Sequence, residues 1–559
     1  MISISLSSAS LILGARTIFQ NLTWEIQHDQ RIGLVGANGA GKSSLLKMIV
    51  GEYTPEFGGG VTKAKGVTVG YLPQDPVLEA ATALETVLGG EPRIAQLEAE
   101  LARVEARLAD PDVYNNPKAL ERALDSQHKL LHEYSHLGGD TYNSRAKETL
   151  RGLGLPEADW GKPEHALSGG QKKLVGLARL LMAKPSVLLL DEPDNHLDLA
   201  GKAFLEGLIR DYPGAVVIIS HDRYLLDAIV THIAEIEDGK IFTFTGDYTA
   251  YILDKEERLA RQEELYQIQQ RKFKRIEAAI RRYAVWAVLS EKFASRLRAS
   301  RALLERAQSN AIDKPITDRR RMDLALNGWR GSNKVLELIN IRKTFEAGHS
   351  STSPLRGSAQ GAILADINLL LRHGERAGLI GANGAGKSVL LKIIINQLRP
   401  DAGEVKIGPS VKLGYYAQEH ETLDFNQTLI DAVRRAHPFS EQAAVAFLKR
   451  YLFPYQQTTL KIGSLSGGER SRLQLALLVL SGVNFLLLDE PTNNLDIASA
   501  EVLENALDEF EGTVLVISHD RYFLDRTVSR IVELENGLLT EYAGGYSDYA
   551  EKKSIAPPR

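Results

Sequence analysis

A chain of 559 residues, 44% hydrophobic and 25% charged, has the composition of ordinary globular protein, and at that length it calls for about three to four domains rather than one core. Its complete lack of cysteine excludes disulfides, thiolate-bound zinc and iron–sulfur clusters, and suits a reducing, cytoplasmic setting. The formal net charge is only −4, yet residues 271–306 hold eleven Lys/Arg against three Glu, a local +8 that leaves −12 for the rest.

The first residues, MISISLSSASLILG, contain no basic leader and no cleavage site, so a signal peptide is not expected. Apolar runs such as residues 186–190 and 485–488 are far too short to span a bilayer, and no membrane insertion is expected. A Gly-rich segment, GANGAGKS, then follows an apolar strand at residues 31–35. It recurs at residues 381–388, an offset of 345. Gln74 and Gln418, each in a Gly-Tyr-x-x-Gln context, are offset by 344. LSGGQ at 167–171 and LSGGE at 465–469 are offset by 298, and LLLDEP, SHDR, Gly246/Gly544 and Tyr248/Tyr546 keep that spacing. An internal repeat covering nearly all of both halves sets the domain plan.

The fall from 344 to 298 locates 46 extra residues between Gln74 and Leu167. Ile94, Leu97, Leu101, Val104 and Leu108 step by threes and fours, a helical stripe. A Pro/Asn break follows, then a second helix with Leu120, Leu124, Leu131 and Tyr134 on one side, ended by Gly138-Gly139. This is read as a hairpin arm at about 90–138. The expected division is a first α/β domain at 1–250, a basic helical linker at 251–333, and a second α/β domain at 334–552 with a loop-like insertion at 347–361. Within the linker, a helix to Tyr283, an interruption at 284–293, a resumed helix to about Gln308 and a break near Pro315 are expected.

The Gly-rich segments have the form GxxxxGK[ST], a phosphate cradle of backbone N–H groups backed by a helix N-terminus. In the first half it comprises Gly36, Ala37, Asn38, Gly39, Ala40, Gly41, Lys42 and Ser43, followed by Ser44; in the second, Gly381, Ala382, Asn383, Gly384, Ala385, Gly386, Lys387 and Ser388, followed by Val389. Lys42 and Lys387 would reach the β/γ-phosphates, while Ser43 and Ser388 would ligate Mg²⁺. Apolar strands deliver Asp191 and Asp489 as metal-side carboxylates, and Glu192 and Glu490 follow as general bases for the attacking water. His221 and His519, in SHDR contexts, are candidates for the γ-phosphate. Ser168, Gly169, Gly170 and Gln171, with Ser466, Gly467, Gly468 and Glu469, form a second Gly-rich turn in each half, hence a second anion site. Since each cradle is already complete, head-to-tail pairing of the halves is expected, with ATP between them and release after hydrolysis.

Together these residues resemble the Walker A, Q-loop, signature, Walker B, D-loop and H-loop motifs of ATP-binding cassette proteins. Tandem cassettes without membrane spans, an arm in the first and a basic helical linker resemble the ABC-F family. The resemblance implies two P-loop ATP-binding cassette domains, with ATP and Mg²⁺ as cofactors. It also implies Gln74 and Gln418 at the metal, and Phe345 stacked on adenine. Its implied setting is a monomer bound to the ribosome near the tRNA exit site, with the linker reaching toward rRNA and the P-site tRNA, in translation or in protection against antibiotics. Three positions depart from the family pattern: Leu13 stands where an aromatic stacks on adenine, Asp194 replaces Thr, and Val389 replaces a hydroxyl residue. The competing expectation is an ATPase subunit of a membrane transporter with its spans on another chain, which would need no strut of net charge +8.

Overall fold

Short runs of uninterrupted apolar residues dictate the architecture. The computed structural model describes residues 1–14, 16–74, 76–78, 82–195, 197–286, 291–309, 324, 331–345, 362–417, 423–493 and 495–553. The insertion at 347–361, the break near Pro315 and Gln418 lie outside these residues. The chain divides into two compact units, one containing residues 1–247 and 322–559, the other residues 248–321.

In the first half the strands are β1 (Ile2–Leu13), β2 (Arg16–Gln27), β3 (Arg31–Val35), β4 (Gly60–Lys63), β5 (Val69–Leu72), β6 (Val187–Asp191), β7 (Ala215–Ile219), β8 (His232–Glu237) and β9 (Lys240–Thr245). β6 and β7 read VLLLD and AVVII with every residue buried, the signature of parallel strands covered on both faces. They pair from Val187 opposite Ala215 to Asp191 opposite Ile219. The six-stranded sheet runs β5-β6-β7-β3-β8-β9, parallel except for the antiparallel β8–β9 edge. A three-stranded antiparallel sheet, β2-β1-β4, completes the half. Leu45, Leu46, Met48 and Ile49 of helix Lys42–Val50 are buried in a core shared with both sheets.

The second half repeats the plan with β10 (Lys334–Thr344), β11 (Ala362–Arg372), β12 (Arg376–Ile380), β13 (Ala402–Ile407), β14 (Leu413–Tyr416), β15 (Phe485–Asp489), β16 (Thr513–Ile517), β17 (Arg530–Glu535) and β18 (Leu538–Ala543). Its sheets run β14-β15-β16-β12-β17-β18 and β11-β10-β13. Because β6, β7 and β3 are adjacent and parallel, their carboxyl ends open side by side. Ligand sites form at such ends; β15, β16 and β12 do the same in the second half.

The arm consists of helices Pro92–Leu108 and Pro117–His136 with a short turn of helix, Pro111–Tyr114, between them. Each starts with proline at its first position, where the missing N–H costs nothing. Ile94, Leu97 and Leu101 are buried as expected. The second helix differs: Leu124 and Leu131 are exposed, and Ala123 is buried. Its packed stripe is Leu120, Ala123, Gln127, Leu130 and Tyr134. Arg93 clamps Glu133 across the hairpin through two hydrogen bonds of 2.7 and 2.8 Å.

The second unit contains helices Tyr248–Trp286 and Glu291–Ser309. The interruption is therefore shorter than 284–293, since both sides of that window are helical. No Gly or Pro falls in residues 271–306 to end either helix early. Phe293 lies 6.3 Å from the rings of both Tyr283 and Trp286, so these aromatics pack the two helices together. Arg281, Arg282, Arg296 and Arg298 are exposed.

Candidate nucleotide site

At the end of β3 the chain must turn sharply without blocking the loop that follows. Gly36 has φ +147°, and a Cβ there would lie 2.6 Å from the Ile236 carbonyl oxygen. Gly381, at φ +153°, faces the Leu534 carbonyl in the same way. Only glycine fits such positions. The loops curl around their own lysines: Lys42 Nζ donates to the Gly36 and Ala37 carbonyls at 2.7 and 3.3 Å, and Lys387 Nζ to those of Gly381 and Ala382 at 2.6 and 3.0 Å. Burial lowers both ammonium pKa values, opposed by nearby carboxylates.

One strand away, Asp191 is 1% exposed at the end of β6 and accepts a hydrogen bond from Ser43. Burial raises its pKa, with the Ser43 bond and Lys173 acting the other way. Glu192 and Glu490 then leave their strands at φ +51° and +49°, a left-handed conformation that is strained for a glutamate and typical of functional sites. Their N–H groups donate to Ile219 and Ile517 on the next strand, both at 2.9 Å. Glu192 accepts from Gln74 Nε2 at 3.1 Å and Asn195 Nδ2 at 2.7 Å. Glu490 accepts from the His519 backbone N–H at 3.2 Å. The His221 and His519 rings bring Nε2 within 3.7 and 3.5 Å of the respective glutamates. Burial pushes Glu490 up to about 7 and His221 down to about 3, and also takes His519 well below the ordinary value. Both imidazoles are neutral at pH 7.

The two halves meet at these sites. Asn38 N–H donates to Asp496 Oδ2 at 3.0 Å, and Asn383 N–H to Asp198 Oδ2 at 3.1 Å. Each phosphate loop is therefore gripped by the carboxylate that caps the opposite half's helix, Leu199–Arg210 or Ile497–Glu509. Around them, Arg223 pairs with Glu504 at 3.2 Å and Arg521 with Glu206. Arg223 and Arg521 close the SHDR motifs, but the contacts across the halves did not emerge from motif reading, although Asp198/Asp496, Arg223/Arg521 and Glu206/Glu504 all repeat at the 298 offset.

The LSGG turns are helix starts with a reciprocal cap. Ser168 Oγ accepts from Gln171 N–H while Gln171 Oε1 accepts from Ser168 N–H, and Ser466 with Glu469 repeats the pattern. Gln171 Nε2 also donates to Asp159 at 2.6 Å, and Glu469 accepts from Gln457 at 3.0 Å, so both side chains are engaged locally. Phe345 is half-buried with Lys343 Nζ 5.6 Å from its ring centre. Val389 packs on the core behind the second phosphate loop.

The donor set fits a metal–nucleotide complex. Asp191 Oδ2, both ring nitrogens of His221 and Glu490 Oε1 are buried polar atoms without a hydrogen-bond partner among the described residues. No cluster of three or more His, Asp or Glu side chains there could hold a metal by itself. A hydroxyl beside one carboxylate suits Mg²⁺, which keeps waters and phosphate oxygens as most of its ligands.

A family model described as ABC transporter matches residues 19–195 and 364–493, and a second of the same description matches 234–324. The chain belongs to the ABC-F family of tandem ATP-binding cassettes. No helix among the described residues is long and apolar enough to cross a membrane. The putative ATP-binding protein YdiF of Bacillus subtilis is 36% identical over 99% of this chain and 83% of its own length. The energy-dependent translational throttle protein EttA of Escherichia coli K12 is 34% identical over 96% of this chain and 93% of its own. Among solved structures, an archaeal ribosome recycling factor, aABCE1, crystallised with the ribosomal stalk protein aP1, superposes with a TM-score of 0.62 at 17% identity, covering 98% of this chain and 92% of that one. That likeness is one of fold.

Proposed function

We propose that this protein is a cytoplasmic ATPase that binds the ribosome near the tRNA exit site and acts on translation, with its basic linker directed toward rRNA and the P-site tRNA. In this reading the cassettes are residues 1–250 and 334–552, and the linker is 251–333. ATP closes the cassettes head-to-tail within one monomer, and hydrolysis releases them. Lys42 and Lys387 hold the β/γ-phosphates. The Ser168 and Ser466 turns close on the opposite cassette's nucleotide, and Glu192 and Glu490 polarise the attacking water. Magnesium held by Ser43 and Ser388, with Gln74, Gln418, Asp191 and Asp489 around it, would supply charge neutralisation at the phosphates. His221 and His519, neutral and hydrogen-bond capable, face the γ-phosphate.

The observation that carries the ribosomal part is the linker. Two packed helices with a local charge of +8 expose their arginines rather than neutralise them. An ion pair within this stretch, Arg281–Glu277, is a loose 3.8 Å. Such a surface suits a polyanion, and the name of the 34%-identical EttA points to translation. The test is ATP-dependent co-sedimentation with ribosomes. Replacing Arg281, Arg282, Arg296 and Arg298 together by Gln should weaken binding and lower the slope of log affinity against log salt by up to about four. Unchanged binding and slope would make the linker a spacer and favour the transporter-subunit reading.

A further inference from the structure

Several contacts between the cassettes come in pairs related by the internal repeat, such as Asn38–Asp496 with Asn383–Asp198, but that of Lys202 does not. Lys202, on helix Leu199–Arg210, is buried and donates from Nζ to Asp222 Oδ2 at 2.8 Å. The same ammonium donates to the main-chain carbonyl of His519, in the other cassette, at 2.8 Å. Asp194, only 5% exposed, lies within the electrostatic reach of this ammonium. The equivalent positions 298 residues later are Thr492 and Ala500. A carboxylate and an ammonium in the first cassette thus replace a hydroxyl and a methyl in the second. An isolated ammonium would be costly in so buried a place, and here it is compensated by the ion pair with Asp222 and by the nearby Asp194.

The peptide that Lys202 grips belongs to the second catalytic centre. His519 offers its carbonyl to Lys202, its N–H to Glu490 Oε2 at 3.2 Å, and its Nε2 to the neighbourhood of Glu490 Oε1 at 3.5 Å. One residue therefore links the ammonium of one cassette to the general base of the other, and rotating it would disturb both ends. Burial is the main reason His519 stays neutral, and the positive charges of Lys387 and Lys202 act in the same direction. Ala500, at the matching position, has no donor to offer the Glu192 site.

We propose that Lys202 is a positioning residue for the second ATP site: docking of the first cassette sets the posture of His519, and through it of Glu490, an aid to turnover that the Glu192 site does not receive from the matching position. The proposal rests on the reading of Glu490 as general base. It predicts one-sided coupling, in which loosening the cassette interface around Lys202 slows the second site and spares the first.

The test measures each site in isolation, using Glu192→Gln to leave the second site reporting and Glu490→Gln to leave the first. Into both backgrounds goes Lys202→Ala with Asp194→Thr, which gives the first cassette the second's residues and leaves Arg521, 3.7 Å away, as the cation beside Asp222. The expected result at the second site is a fall in kcat of about tenfold with KM for ATP little changed, the scale of one charge-assisted hydrogen bond. At the first site, kcat should stay within about twofold. If that variant does not fold, Lys202→Gln with Asp194→Asn carries the same comparison, with a smaller one-sided loss, because the amide falls one atom short of the carbonyl. Equal losses at both sites, or none at either, overturn the proposal. Turnover that survives Glu192→Gln with Glu490→Gln would instead overturn the assignment of the bases, so the two failures are distinguishable.

Discussion

The two candidate nucleotide sites carry the same proposed catalytic residue types and, among the described residues, hold them differently. Glu192 is oriented by two side-chain amides, Gln74 and Asn195, at 3.1 and 2.7 Å. Glu490 is held by the backbone of His519 at 3.2 Å, and its side chain is 7% exposed against 16% for Glu192. Leu13 lies 36% exposed where the second half presents Phe345. Internal duplication has kept Gln74/Gln418, Asn195/Asn493 and His221/His519 alike, while neighbours such as Asp194/Thr492 and Lys202/Ala500 have diverged. The difference locates asymmetry in neighbours, which are free to change, rather than in the reacting groups.

The largest test of that view removes what the sites share. Glu192→Gln with Glu490→Gln should lower ATP hydrolysis by on the order of a hundredfold or more, as expected for loss of general bases. Nucleotide binding should persist, measured with a fluorescent ATP analogue. The single variants sharpen the comparison, because unequal residual rates would show which site carries most of the flux. Near-wild-type hydrolysis in the double variant would remove both glutamates from the chemistry.

A smaller effect is expected at the base-binding ends. With the other site disabled, Phe345→Leu should weaken nucleotide binding at the second site by about 1–3 kcal/mol, roughly 5- to 150-fold, by analogy with stacking in single-strand nucleic-acid sites. Leu13→Phe should strengthen the first site in the same sense. Equal affinities before and after the exchange would show that neither ring contributes.

Much of this arrangement was legible in the chain because the repeat aligns apolar strands with the polar residues at their ends. The runs at β6, β7, β15 and β16 became fully buried parallel strands, as continuous apolar composition demands. Side-chain facing was less legible. In the second arm helix, Leu124 and Leu131 attract attention by hydrophobicity, yet the packed stripe runs one position away through Ala123 and Leu130. A small residue lets the helices approach, and hydrophobicity alone does not reveal where approach occurs. Likewise, Glu504 and Lys202 read as ordinary charged helix residues, because their contacts with Arg223 and the His519 carbonyl come from the facing cassette and leave no local mark.

The finest comparison concerns the carboxylates that bridge the halves. Asp496 accepts Ser499 N–H at 2.9 Å with one oxygen and Asn38 N–H at 3.0 Å with the other; Asp198 does the same with Gly201 at 2.9 Å and Asn383 at 3.1 Å. An asparagine has one acceptor oxygen, so it must give up either the helix cap or the contact across the interface. The Asn38 contact is partly buried, whereas the Asn383 contact is exposed. Asp496→Asn should therefore cost more than Asp198→Asn, about 1–2 kcal/mol against 1 or less, read as the shift in thermal midpoint. The pH dependence follows from the held charge. Burial by itself would raise the Asp496 carboxyl, but the hydrogen bonds from Ser499 and Asn38 outweigh it and keep the pKa below the ordinary carboxylate value. A depressed carboxyl stabilises the folded chain above its unfolded pKa of about 4, and that stabilisation disappears as the pH falls through the folded value. The midpoint gap between wild type and Asp496→Asn should thus be the same at pH 7 and pH 5 and close on further acidification. A gap that persisted undiminished in acid would mean that the interface depends on the shape of Asp496 and not on its charge.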